Sequence, residues 1–273
     1  MLRRVDAGWL AIALALTYSW TAPATAEADT ASAIVTYRAS SHPMRYHLAL
    51  PAGWVAGRRW PVVVVIPDAA REFEANLERF VTARGGAGWI LVAPEVMTCG
   101  GARSRTSDHY SYSAAEWDSL LHGDDFAFDD AGIAAVLADV RRNWGGETKA
   151  FLTGWEAGGH TVWAQALRRP ERWRAVAPVT TNYQRRGLTE STFSADPQRS
   201  KLPIRVFRCG APTGEVAASM AFLDRQTQQA IADARAHGFA PVKVQVVPGV
   251  DHGPLAEAVL AWFASQAPPA PAR

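Results

Sequence analysis

The sequence predicts a single α/β domain built on a doubly wound, mostly parallel sheet. Three observations carry that expectation. Val62-Val63-Val64-Val65-Ile66 is an unbroken β-branched run, as expected of a strand covered on both faces. Strand-like apolar runs then alternate with helix-period segments to the end of the chain. Finally, the apolar run 150–153 passes through Gly154-Trp155-Glu156-Ala157-Gly158 directly into a helical pattern. A chain of 273 residues suits one such domain.

The first 26 residues read as a signal peptide. Arg3 and Arg4 precede an apolar stretch over 7–20, and Ala24-Thr25-Ala26 is a small-x-small cleavage site. The apolar stretch is shorter than the ~20 residues a membrane span requires. Cleavage after Ala26 predicts a periplasmic or secreted protein beginning at Glu27, with no stable membrane insertion. It removes Arg3, Arg4 and Asp6, so 28 basic and 26 acidic residues become 26 and 25. A nearly neutral chain without basic runs gives no footing for nucleic acid.

The domain itself is expected over 27–265. Strands at 33–37 and 44–50 form an antiparallel start. After the Val62 run, Phe73, Leu77, Phe80 and Val81 mark one face of a helix over 72–84, closed by Gly85-Gly86. A buried strand follows at 89–93. The segment 97–128 has no clear period and reads as a long functional or mobile loop, with Tyr110, Tyr112 and Trp117 suited equally to sugar or aromatic groups and to plain packing. Asp129 and Asp130 are expected to cap the next helix, which buries Ile133, Val136, Leu137, Val140 and Trp144. Then come the strand 150–153, a helix over 161–169, strands at 173–180 and 203–209, and a helix over 214–237. A strand at 242–247 precedes a helix presenting Leu255, Val259, Leu260 and Phe263. The Pro/Ala-rich end, 266–273, reads as a disordered tail.

Gly154-Trp155-Glu156-Ala157-Gly158 has the outline of a nucleophile elbow, Gly-x-Ser-x-Gly, with glutamate in the serine position. A strand turning sharply into a helix strains its central residue, so its neighbours must lack bulk.

With these elements placed, the chain resembles an α/β-hydrolase, and more narrowly the secreted carboxylesterases of the polyhydroxybutyrate depolymerase and feruloyl esterase type. The resemblance rests on Tyr46-His47-Leu48-Ala49-Leu50-Pro51, Leu91-Val92-Ala93-Pro94-Glu95, the elbow, and Arg169-Pro170-Glu171-Arg172-Trp173 running into Ala175-Val176-Ala177-Pro178-Val179. It implies a small ester, sugar or aromatic ligand and no cofactor.

The family machinery is altered at several matching positions. Glu156 stands where the serine belongs. Pro67-Asp68 replaces the His-Gly pair whose loop helps form the oxyanion hole, so Asp68 and Ala157 hold the oxyanion-hole positions. Thr213 occupies the place of the acid, with Glu215 as a nearby candidate. His252 fits the general-base position.

A carboxylate attacking an ester gives an anhydride, a poor route for ordinary hydrolysis. Removing a serine nucleophile costs on the order of 10⁶ in kcat. The leading expectation is therefore an esterase-like protein that binds a ligand or partner without turnover, with Glu156 paired to His252. Two alternatives stand beside it. One is a hydrolase that uses Glu156 and His252 in an unfamiliar way. The other is a metal-dependent site drawn from Asp68, Glu156 and His252. The family sheet order sets the strands of Cys99 and Cys209 four positions apart, about 19 Å, too far for a disulfide. A loop folding over the strand tips would keep a bridge open as an alternative to free thiols.

Overall fold

The computed structural model describes residues 33–100, 109–110, 112–210, 215–249 and 252–267. The signal-peptide reading, most of the proposed tail and Thr213 fall outside them.

Eight strands form one mixed sheet in the order β1-β2-β4-β3-β5-β6-β7-β8. β1 (Ile34–Arg38) and β2 (Arg45–Ala49) pair antiparallel, and β2 pairs antiparallel with β4 (Ile90–Pro94). From β4 onward all neighbours are parallel: β3 (Val62–Ile66), β5 (Ala150–Glu156), β6 (Trp173–Thr181), β7 (Arg205–Cys209) and β8 (Lys243–Val247). Every residue of β3 and β4 is buried, as the continuous apolar runs require of strands covered on both faces.

Among the described residues, six α-helices accompany the sheet: α1 (Phe73–Arg84), α2 (Ala114–Leu121), α3 (Asp125–Asn143), α4 (Gly159–Arg168), α5 (Glu215–Ala236) and α6 (Ala256–Gln266). Phe73, Leu77 and Phe80 of α1 are buried, and Val259, Leu260 and Phe263 of α6 join the same core. That last helix reaches Gln266, where the sequence reading began the tail.

The described part of the segment 97–128 holds more helix than its sequence suggested. Ser113 and Glu116 close a full capping box at the start of α2. Asp124, not Asp129 or Asp130, caps α3, accepting from the N–H groups of Phe126 and Ala127. Asp129 and Asp130 lie inside α3 and are buried. Asp129 accepts from the backbone N–H groups of Met97 and Thr98 and from the Thr98 hydroxyl, and so anchors the chain leaving β4. Asp130 takes Arg169 and Arg172, tying α3 to the end of α4. Such charges are tolerated inside because each is paired and hydrogen-bonded. Tyr110, Tyr112, Trp117 and Phe128 stack on one another and on Phe73, so these rings serve packing.

Candidate functional site

β5 runs past Thr153 to Glu156, and α4 begins at Gly159, two residues before the sequence reading placed it. The turn between them is therefore very short, and Glu156 adopts a left-handed backbone with φ of +48°. For a residue with a side chain this costs roughly 1–3 kcal/mol. The flanking glycines make the turn feasible. A Cβ at Gly158 would lie 2.2 Å from the carbonyl oxygen of Pro67, and one at Gly154 would lie 2.8 Å from Cβ of Ile66. The elbow is thus pressed against the end of β3, which carries the Pro67-Asp68-Ala69 loop.

That proximity decides where the Glu156 side chain goes. Its Oε2 accepts a hydrogen bond from the backbone N–H of Ala69 at 3.2 Å. The donor on this loop is Ala69, next to the Asp68 position singled out from sequence. Asp68 turns its Oδ1 to the N–H of Ala70 at 3.3 Å. Burial, and then the nearby negative charge of Glu156, hold the Asp68 carboxyl above the usual carboxylate range. Ala157 is buried, and its carbonyl accepts from the N–H of His160 at the start of α4.

The expected Glu156–His252 pair is not formed. His252 is exposed and packs its ring on the indole of Trp155, with centroids 5.1 Å apart. The last loop does reach the elbow, but it meets the indole of the residue before the glutamate. The indole is held by its own bond to Asn76 at 3.2 Å and by Arg79 stacked 5.9 Å from the ring. Of the acid-position candidates, Thr213 lies outside the described residues and Glu215 is described only as the first residue of α5.

The metal alternative is also corrected. Among the described residues, which include Asp68, Glu156 and His252, no three His, Cys, Asp or Glu side chains gather as a ligand set. Cys99 and Cys209 are both buried and are not bridged to each other. Burial pushes the Cys99 thiol up to about 12, so it stays protonated, and its Sγ–H donates to the carbonyl of Val96 at 3.4 Å.

On the other side of Glu156 lies a cleft of about 380 Å³. Glu156, Asn182, Ala218, Ser219, Phe222 and Leu223 line it. Asn182 is fixed there because its N–H donates to the carbonyl of Glu156 at 2.8 Å. The other lining residues come from one face of α5. Sequence reading missed all of them except Glu156, since nothing local in α5 says which face meets the elbow.

No family model matches the chain, and no curated protein matches it. Solved structures do. A poly(aspartic acid) hydrolase from Sphingomonas sp. KT-1 is similar, with a TM-score of 0.58 at 16% identity, covering 85% of this chain and 98% of its own. A putative dienelactone hydrolase from Klebsiella pneumoniae gives 0.54 at 19% identity, covering 85% of this chain and 99% of its own. A thermostable esterase gives 0.51 at 16% identity, covering 86% of this chain but only 63% of the esterase. This is the α/β-hydrolase fold. At such identities the likeness speaks for architecture and leaves activity to the residues of the site. Among the described residues, no helix is long and apolar enough to cross a membrane.

Proposed function

We propose that this α/β-hydrolase-fold protein is an exported, esterase-like binding protein whose elbow no longer performs nucleophilic catalysis. One observation carries the reading: the Glu156 carboxylate accepts the Ala69 N–H. In a working ester hydrolase, backbone donors beside the elbow receive the developing oxyanion. Here the protein's own negative charge takes that donor, and Asp68 adds a second carboxyl beside it. A tetrahedral intermediate would have to displace one anion and develop another against the charge that remains.

His252 supports the same reading. A general base must reach the proton it removes, directly or through one water. His252 rests on Trp155, and Glu156 has no hydroxyl proton to give. The alternative of a hydrolase using Glu156 and His252 together therefore has no geometric support.

The test is turnover by the purified mature chain. Short-chain p-nitrophenyl esters should be hydrolysed no faster than in buffer, and a fluorophosphonate should leave the protein unlabelled. Ester hydrolysis that survives purification and vanishes in His252→Ala would overturn the proposal.

A further inference from the structure

The cleft beside Glu156 has a chemical bias. Glu156 contributes a carboxylate with one oxygen, Oε2, engaged by Ala69. Its Oε1 accepts no hydrogen bond among the described residues. Asn182 contributes an amide whose Oδ1 is buried without a hydrogen-bond partner. Among the described residues, no Lys, Arg or His lines the cleft. The Glu156 carboxylate is thus the charged group that the described lining presents to the cleft, with the Ser219 hydroxyl beside it.

The remaining wall is apolar. Phe222 is 42% exposed, one of the few large apolar side chains on this surface, and Leu223 and Ala218 lie beside it in the lining. A carboxylate at one end and an aromatic ring at the other select a ligand with a cationic donor head and a short apolar body. An anionic or acceptor-rich ligand would meet Glu156 head-on.

We propose that this cleft binds a small organic amine as its ammonium, with its N–H groups on Glu156 and its apolar portion against Phe222 and Leu223. The assignment rests on the reading of Glu156 as a non-nucleophilic residue and names the ligand class for the same site.

The experiment compares three probes of one shape on the mature chain at pH 7 and low salt, followed by calorimetry and by amide chemical shifts. They are phenethylammonium, 2-phenylethanol and 3-phenylpropionate. Phenethylammonium is expected to bind saturably and at least about tenfold more tightly than either of the others. Glu156→Gln keeps the shape and an acceptor for Ala69 but removes the charge, so it should weaken ammonium binding about tenfold. Phe222→Ala, on an exposed helix face, should weaken it several-fold, and unchanged melting curves would show both variants folded. Equal or better binding of the propionate or the alcohol would overturn the assignment. So would ammonium binding indifferent to Glu156→Gln, or no binding of any probe. Ester turnover is measured on the same sample. Turnover defeats the non-catalytic reading, whereas failed ammonium binding without turnover defeats only the ligand class.

Discussion

Glu156 and Ala69, 87 residues apart in sequence, are joined by a 3.2 Å hydrogen bond from backbone N–H to carboxylate. The bond exists because β3 and β5 are parallel neighbours with Ile66 opposite Gly154. Their C-terminal ends, and the loops that leave them, are thereby forced together. The same adjacency would serve a hydrolase by bringing oxyanion donors to a nucleophile. Here it seats a carboxylate on the Ala69 N–H.

Restoring the nucleophile alone should therefore not restore catalysis. Glu156→Ser frees the Ala69 N–H but leaves Asp68 in the loop and Thr213 in the acid position. An oriented base is worth roughly 10²–10⁴ in rate. The single variant is expected at background with p-nitrophenyl esters. Glu156→Ser combined with Asp68→Gly and Thr213→Asp should be measurably faster. Strong activity in the single variant would show that the rest of the machinery is intact.

The elbow should resist any added bulk. Gly158→Ala places a methyl 2.2 Å from the Pro67 carbonyl oxygen, a backbone atom in the loop that carries Ala69. The strand end must shift, and a loss of about 1–3 kcal/mol is expected, read as a lower urea midpoint. An unchanged midpoint would mean that the elbow and the β3 loop are less tightly apposed.

Acid should destabilise the fold through His160. This residue is buried behind the elbow, and its Nδ1–H donates to the carbonyl of Tyr183 at 2.9 Å. Burial, and then the Arg186 charge, lower its pKa from 6.5 to about 4. The stability gained from keeping it neutral is complete above 6.5 and is lost as pH falls to about 4. The full effect is on the order of 3 kcal/mol. Urea midpoints measured across that window should fall more steeply for the wild type than for His160→Asn, whose amide can still donate to Tyr183. Parallel curves would remove His160 as the cause.

Asp68 works in the opposite sense. Its folded pKa is raised, so its contribution is most favourable below its ordinary value and is lost as pH rises through the folded pKa. Asp68→Asn keeps an oxygen for the Ala70 N–H and removes the repulsion with Glu156. The variant should melt higher than the wild type at neutral pH, and the gap should close in acid. A gap independent of pH would assign the effect to packing.

Export can be checked directly. Protein recovered from its native host should begin at Glu27. An N-terminus retaining the apolar stretch 7–20 would refute the cleavage.

The α/β architecture was legible in the sequence because its signals are local. A β-branched run such as Val62–Ile66 has one low-energy use in a protein of this size, a strand covered on both faces. The glycines at 154 and 158 marked the elbow because a sharp strand-to-helix turn tolerates little else. Local signals were also present where the reading went astray. Ser113 with Glu116 is a capping box, and Asp124 precedes the true start of α3, yet Asp129 and Asp130 looked like equally good caps. Only packing distinguishes a carboxylate that caps a helix from one buried in it to hold Thr98 or Arg169.

The sequence by itself determined the α/β class, the chain order of the strands and the sharp turn at Glu156 with no serine in it, but not α2, which lies where a loop was expected. Tertiary structure decided what that glutamate does. Its partners are Ala69 from the β3 loop and Asn182 just past β6, with the Phe222 face of α5 across the cleft. His252, the expected partner, went to Trp155 instead. Side chains alternate across a strand, so neighbours in sequence face different surroundings. Which surroundings those are depends on how distant elements pack over the strand ends, and no local pattern encodes that.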